Sequence, residues 1–358
     1  VSSSPIPSSR IQLLREVLPR LLGQPAALPD DWDVQATTYD LPRFHSEAAF
    51  AERFYAVAEA IVAEGVSAPE ALRARLASCG LPYDYARLGQ PLSTLYEMLL
   101  QAQCGAAHAI SFASRTKPYL AVVEASAGPV RIFAEGALPL SEVARERLAR
   151  RGAALHEGWK GPLPEAGPEV VTVLVRDGRF SGTLPAESAD GYCFPADEGG
   201  VLLLPSASRI DASAIRVVRK RTAAALLAPN ARAELEQAMG LPVTSPRRDV
   251  TPADCDRRLR DLFPELTDAL YFCTGLAAEA AVFSAVTDEL GALTLFYAQN
   301  GYGGTGQLLA EILPRDGRLR QAPLPVLDRD AQGRTTTLVD RVVQALPSLG
   351  GAPAAVFL

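Results

Sequence analysis

From Pro91 onward the chain alternates short apolar runs with segments of helical period, and this alternation limits the possible folds more than any other feature. A helical stretch at 91–103 precedes the run AHAISFA at 107–113. A helical piece after Pro118, the run VRIFA, a helix at 141–151 and apolar runs near 169–175 and 201–204 follow. Such runs suit strands buried on both faces, and strands separated by helices pair in parallel. The pattern therefore predicts an α/β fold, a mainly parallel sheet flanked by helices. Two helices at about 212–226 and 230–239 lead to Gly240-Leu241-Pro242, and the stretch GLPVTSPRRDVTP is the clearest boundary in the chain. Beyond it the alternation resumes, with helices at 252–263, 276–288, 304–313 and 336–347 and strands at 268–273, 292–297, 321–326 and 354–358.

Before this pattern begins, the chain reads as helices alone, at 10–23, 46–64 with Ser46 as cap, and 68–78 after Ala68-Pro69. The expected division is a helical N-terminal segment at 1–80, an α/β domain at 81–240 and a second α/β domain at 241–358. The two α/β parts share the order helix, strand, small polar residue, helix. The same 27 positions separate Arg87 from Ser114 and Arg247 from Thr274. An internal duplication and mere imitation between consecutive α/β units both account for this.

Composition excludes several classes of function. A net charge of −6 argues against a surface that tracks nucleic-acid phosphates. The densest basic run, RVVRKRT at 216–222, reads as a solvated helix face. Arg10, Arg15, Glu16 and Arg20 interrupt the first apolar helix, so it is neither a signal sequence nor a membrane span. Five cysteines, widely spaced and without a C-x-x-C, indicate neither a disulfide framework nor a zinc site, and a reducing cytoplasm suits them. Cys273 reads as a core-facing strand residue. His45, His108 and His156 are far apart and suggest no metal centre.

One stretch carries two cofactor signatures at once: FYAQNGYGGTGQLLAEIL, from Phe296 to Leu313. Gly301, Gly303 and Gly306 form G-x-G-x-x-G before a helix, and Asp328 follows at the distance of an acidic ribose ligand, as in a nicotinamide-dependent oxidoreductase. Against this, Gln299 and Asn300 separate the strand from Gly301, and a helix-strand-helix unit precedes what should be the first strand. Tyr302-Gly303-Gly304-Thr305 is the other signature. It pairs with Thr274-Gly275-Leu276 upstream, where a strand turns into a helix and peptide N–H groups can face an anion. A phosphate at one turn and an aromatic ring at the next suit a phosphorylated aromatic cofactor. A third account makes Tyr302 an ordinary turn residue and Gly303-Gly304 a loop with positive φ.

FCTGLAAEAAV and NGYGGTGQLL resemble the Ser-Ser-Gly-(Met/Leu)-Ala-Ala and Tyr-Gly-Gly-Thr segments of the Cys/Met-metabolism pyridoxal phosphate (PLP) enzymes of fold type I, such as cystathionine γ-synthase and the cystathionine and methionine lyases. YDYARLGQP, from Tyr83 to Pro91, resembles that family's Tyr-x-Arg-x-Gly-Asn-Pro, with Gln90 in place of Asn. The resemblance is clearest over 245–358. It implies a fold-type-I domain in which Gly275 and Leu276, with Thr274 beside them, hold the phosphate of pyridoxal 5'-phosphate and Tyr302 stacks on its ring. It further implies that Tyr85 and Arg87 reach a neighbouring subunit's cofactor, within a homo-oligomer acting on a small amino acid. Elimination or replacement at the β or γ carbon is the implied reaction.

The chain departs from that family in three places. Tyr85 lies 190 positions before Gly275, and Ser245-Pro246-Arg247 keeps the arginine of the motif without its tyrosine. In the first half FASRTKPY and AEGALPLSEV stand where the two cofactor segments belong, and Arg115 replaces a glycine, so this half reads as a degenerate copy. The only lysines are Lys117, Lys160 and Lys220, and none matches the family's Schiff-base motif. Two expectations follow: an enzyme whose lysine and acidic partner lie in a further portion, or a non-catalytic scaffold that keeps the fold without the chemistry.

Overall fold

A computed structural model describes residues 8–32, 45–85, 88–165, 167–178, 182–184, 189–196, 198–243, 251–313 and 317–357. Its first elements are α1 (Ser8–Leu22), α2 (Glu47–Ala63) and α3 (Pro69–Ala77), where helical period places them. The Ser46 hydroxyl accepts the Ala49 N–H at 3.1 Å and so satisfies one of the unpaired donors of the first turn of α2. Leu14, Leu18, Phe50, Phe54 and Trp32 are buried together, and their cluster runs on into α4 (Pro91–Cys104) and one face of the sheet that follows. The N-terminal helices therefore form a layer on the first α/β unit.

That unit continues through β1 (His108–Phe112), α5 (Lys117–Ala125), β2 (Val130–Ala134), α6 (Glu142–Arg150), β3 (Ala153–His156), β4 (Val171–Val175), β5 (Gly191–Ala196), β6 (Gly199–Leu204), α7 (Ala212–Thr222) and α8 (Ala228–Ala238). Its six strands lie in the order β1-β6-β5-β4-β2-β3. Strands β3, β2, β4 and β5 are parallel, while β6 runs antiparallel to both β5 and β1. Successive residues serve opposite cores: Ala109, Phe133, Leu174 and Leu203 face α4 and the N-terminal helices, whereas Ile110, Ile132, Val173 and Leu202 face α5 and α7. Gly199 is needed where β6 meets β1, because a Cβ there would lie 2.2 Å from the Phe112 carbonyl oxygen.

The second unit contains α9 (Pro252–Leu262), α10 (Gly275–Leu290), β7 (Leu293–Ala298), α11 (Gly303–Gln307), β8 (Leu319–Leu324), β9 (Leu327–Arg329), β10 (Thr335–Thr337), α12 (Leu338–Ala345) and β11 (Ala354–Phe357). α11 passes directly into a π-helical turn at Leu308–Ile312, which together cover the helix expected at 304–313. Strands β11-β7-β8 form a parallel sheet, and β9 and β10 form a separate antiparallel pair. Leu276, Phe283, Leu295, Leu308 and Ile312 make its core, to which Val217 of α7 adds. Asp288 fastens the units electrostatically, accepting from Arg150 at 2.8 Å and from Arg318 at 2.7 Å, with Arg147 at 4.0 Å.

The fold is thus α/β with mainly parallel sheets flanked by helices, as the alternation predicts, with one correction. No strand forms over 268–273, where every residue but the half-buried Ala269 is exposed. By the 27-residue spacing this run stands where β1 stands, and β1 pairs with β6 alone. No strand among the described residues takes β6's place in the second unit, so the run lacks the antiparallel neighbour that β1 has. Leu270 is 85% exposed, and Cys273, expected to face a core, is exposed as well.

Candidate functional site

α10 begins cleanly because Thr274 is extended and its hydroxyl accepts the Ala277 N–H at 3.0 Å. Gly275 follows at an open position: it is exposed, and a Cβ added there would meet no atom within 4 Å. The 16-residue helix therefore opens on a residue without a side chain at an exposed position. Leu276, the next residue, is buried in the core.

The second turn lies against this one. Tyr302, a residue 62% exposed, precedes α11, and Gly304 is the point on which the neighbouring groups converge. A Cβ on Gly304 would lie 2.5 Å from Tyr302 Cε1 and 3.0 Å from both Leu276 Cδ1 and Arg221 Nη1. Close packing is what requires glycine there. None of the loop's glycines adopts a positive φ, so the account of Gly303-Gly304 as a left-handed turn does not hold. Thr305 Oγ1 donates to Glu279 Oε2 at 2.6 Å and ties α11 to the first turns of α10.

Arg221 is a participant that the sequence pattern hides. It comes from α7 of the first unit, and its Nε donates to Gln307 Oε1 at 2.6 Å. The basic run to which it belongs is not a solvated face. Arg219 is buried, with Nη1 donating to Glu97 Oε1 at 2.7 Å and to the Ser111 carbonyl at 3.0 Å, and Arg216 pairs with Glu47 at 2.9 Å. Burial pulls the Arg219 pKa down, but Glu97, Tyr83 and Glu47 outweigh it and hold the value above the ordinary arginine range. Likewise, burial pushes the Glu47 carboxyl up, and Arg216, Tyr83 and Arg219 together bring it below its usual value. The acidic partners of this run, Glu47 and Glu97, lie far away in sequence.

The same network accounts for much of the YDYARLGQP segment. Tyr83 donates its hydroxyl to Glu47 at 2.5 Å, and Arg219 Nη2 donates to the Leu88 carbonyl at 2.9 Å. Gly89 has φ 155°, and a Cβ there would strike the Tyr83 ring at 2.3 Å. Gln90 Nε2 donates to the Leu226 carbonyl at 2.8 Å. Tyr85 is half-buried in this loop ahead of α4, its carbonyl accepting the Leu88 N–H at 2.9 Å. Arg87 and Arg247 lie outside the described residues.

In the first unit the corresponding turns are altered. Arg115 stands at the position matching Gly275, and the turn after β2 is acidic: Glu135 pairs with Arg176 at 2.7 Å and accepts the Asp177 N–H at 3.1 Å. A Cβ on Gly136 would lie 2.5 Å from Asp177 Oδ2. Two carboxylates at the end of that strand repel a phosphate.

The dinucleotide pattern fares differently. Asp328 lies on β9, beyond β8 and outside the β11-β7-β8 sheet, where it pairs with Arg341 at 2.5 Å. An acidic ribose ligand belongs at the end of the neighbouring strand of the same sheet. Among the described residues no cluster of His, Cys, Asp and Glu could hold a metal ion, and no helix is long and apolar enough to cross a membrane.

No protein-family model matches the chain, and no curated protein matches it. Among solved structures the chain is similar to a cystathionine gamma lyase (CalE6) from Micromonospora echinospora, at 16% identity over 44% of this chain and 54% of that one, with a TM-score of 0.31. For apo CalE6, described as a methionine gamma lyase, the values are 16%, 43%, 55% and 0.32. A cystathionine gamma-lyase from Lactobacillus plantarum, complexed with L-serine, gives 14% identity over 44% of this chain and 53% of that one, TM-score 0.32. The chain spans about half the length of these structures.

Proposed function

We propose that the turns opening α10 and α11 are the phosphate and ring seats of a PLP site of the cystathionine γ-synthase type. The reaction served is elimination or replacement at the β or γ carbon of a small amino acid. The observation that carries this reading is the convergence of Tyr302 and Leu276 on Gly304, beside the open helix start at Gly275. In it, the N–H groups of Gly275 and Leu276 donate to the phosphate, and the Thr274 hydroxyl, committed to Ala277, keeps the helix start fixed. Tyr302 offers an exposed ring for stacking. The family resemblance assigns Arg247 to the phosphate, and Tyr85 and Arg87 to the cofactor of a neighbouring subunit in a cytoplasmic homo-oligomer. Residues 81–240 act as a degenerate partner to the cofactor-binding portion at 241–358, and 1–80 are its helical cover.

When bound, PLP supplies an electron sink for carbanion chemistry, which needs a Schiff-base lysine. The residues fit its phosphate and ring. Lys117 is committed to Glu124 at 2.7 Å, and no lysine is among the groups that meet at Gly304. Catalysis on this reading needs a Schiff-base lysine, and none of Lys117, Lys160 and Lys220 matches the family's motif for it. A second reading, an assembly module that keeps the fold without the chemistry, is favoured by that same lysine-free cluster.

Equilibrium dialysis of the protein against PLP tests the site without requiring turnover. Saturable binding is expected, weakened about tenfold in Tyr302→Ala for a stacking contact of ~1.4 kcal/mol. Absence of saturable binding sinks the cofactor reading in favour of the assembly module; equal affinity of wild type and Tyr302→Ala removes Tyr302 from the site.

A further inference from the structure

The first unit, altered at the turns that match the cofactor seats, has a cavity of its own. It measures about 170 Å3 and lies between α4, α8 and the hairpin of β5 and β6, on the face of the sheet that carries the N-terminal helices. Its floor is apolar and buried, made by Tyr96 and Leu100 of α4, Phe194 of β5, and Val201 and Leu203 of β6. The exposed residues Gln237 and Ala238, at the end of α8, mark its mouth. Among the described residues that line it, Glu234 of α8 is the one acid, and none is a lysine, arginine or histidine. Glu234 is only 4% exposed, and its Oε2 accepts the Tyr96 hydroxyl at 3.3 Å, a long contact for an O–H···O bond. A carboxylate accepts up to about four hydrogen bonds, so it can hold a ligand's donor alongside the Tyr96 hydroxyl.

The volume sets the size of a ligand, and the charge sets its class. An apolar cavity of about 150 Å3 admits a benzene ring, so one ring or a branched alkyl group fills this one. The Glu234 carboxylate at its wall favours a cation, and the rings of Tyr96 and Phe194 add to this where the charge lies over their faces. An anion, or an amino acid with its own carboxylate, is repelled at such short range. A cavity of this size and a buried carboxylate each lower the stability of a fold, and a bound ammonium offsets both. We propose that the cavity binds a small primary ammonium with a single-ring or branched alkyl body, its nitrogen donating to Glu234 and its body resting on Leu100, Phe194 and Leu203. The site is independent of the turns at Gly275 and Gly304, and its ligand differs from the amino acid proposed for them in lacking a carboxylate.

Titration calorimetry of the protein with benzylamine, beside benzyl alcohol and benzoate, tests the proposal. Benzylamine, an ammonium at neutral pH, is expected to bind saturably and at least about tenfold more tightly than benzyl alcohol, with benzoate weaker than either. Glu234→Gln keeps the shape of the side chain and should weaken benzylamine about tenfold or more while leaving benzyl alcohol within about twofold. In nuclear Overhauser spectra the benzylamine ring should contact the methyl groups of Leu100, Val201 and Leu203. Absence of saturable benzylamine binding overturns the proposal, as does equal affinity of the wild type and Glu234→Gln, or ring contacts to methyl groups elsewhere. Should Glu234→Gln fail to fold, the wild type decides alone: equal affinity for benzylamine and benzyl alcohol overturns the role of the carboxylate and with it the proposal.

Discussion

Arg219 brings five chain segments into one polar cluster. Its guanidinium donates to Glu97, to the carbonyls of Ser111 and Leu88, and to the Tyr83 hydroxyl, while Tyr83 donates to Glu47. Glu97 also accepts the N–H and the hydroxyl of Ser111, both at 2.7 Å, so the carboxylate is well satisfied only while the arginine stays. Removing one partner of such a buried pair leaves a charge that water cannot reach. Arg219→Ala is therefore expected to cost about 3–5 kcal/mol in denaturant unfolding. Arg219→Lys should recover only part of this, because an ammonium has no planar fork to span the same acceptors. A loss within 1 kcal/mol for Arg219→Ala would show that the cluster is solvated and that the arginine is not what holds the loop at Tyr83–Gln90.

Among the elements, the helices owe their starts to local chemistry. Thr274, Thr251 and Thr337 each cap a helix with their hydroxyls, and the last two complete the motif with Asp254 and Asp340 reaching back to the cap N–H. Burial anchors α10 as well, through Leu276, Ala280 and Phe283. Thr274→Ala should then weaken the second unit by about 0.5–2 kcal/mol without unfolding it, and Thr274→Ser should restore it. Amide exchange in the first turn of α10 reads this directly, since fraying would raise rates there before it does so at Phe283. The strands have no such independence. β1 and the run at 268–273 share an alanine, an aliphatic residue and a phenylalanine at matching positions, yet only β1 is a strand, paired along its length with β6.

Over the whole molecule, the two units are held together by the packing of α7 on α10 and by the charges around Asp288. Burial raises the Asp288 pKa, but Arg318, Arg147 and Arg150 outweigh it and hold the carboxyl below its ordinary value. A group depressed in the folded state contributes stability that is complete above its unfolded pKa and is lost as pH falls through the folded value. The contact should thus be fully effective at neutral pH and fail progressively below about pH 4. Asp288→Asn is expected to destabilise the protein by about 1–2 kcal/mol at pH 7 and to be indistinguishable from wild type once the carboxyl is protonated. Thermal unfolding across pH 2–8 measures this, and a difference that persists unchanged at the acid end would show that packing, not charge, links the units there.

The sequence by itself determined the α/β class, the boundaries of most helices, the capping residue Ser46, and the pairing of two motifs that the fold brings to one place at Gly304. These are local matters: helical period, cap chemistry and apolar runs act over a few neighbouring residues and can be read in order along the chain. The tertiary structure alone decided the fate of 268–273, the burial of Arg219 within a run that reads as solvated, the arrival of Arg221 at Gly304 and Gln307, and the place of Asp328 on a separate hairpin. Each of these depends on a partner more than eighty residues away or on the choice of neighbouring strand. A strand without its neighbour and a charge without its counter-ion have no fixed state of their own, so the residues that carry them do not reveal it.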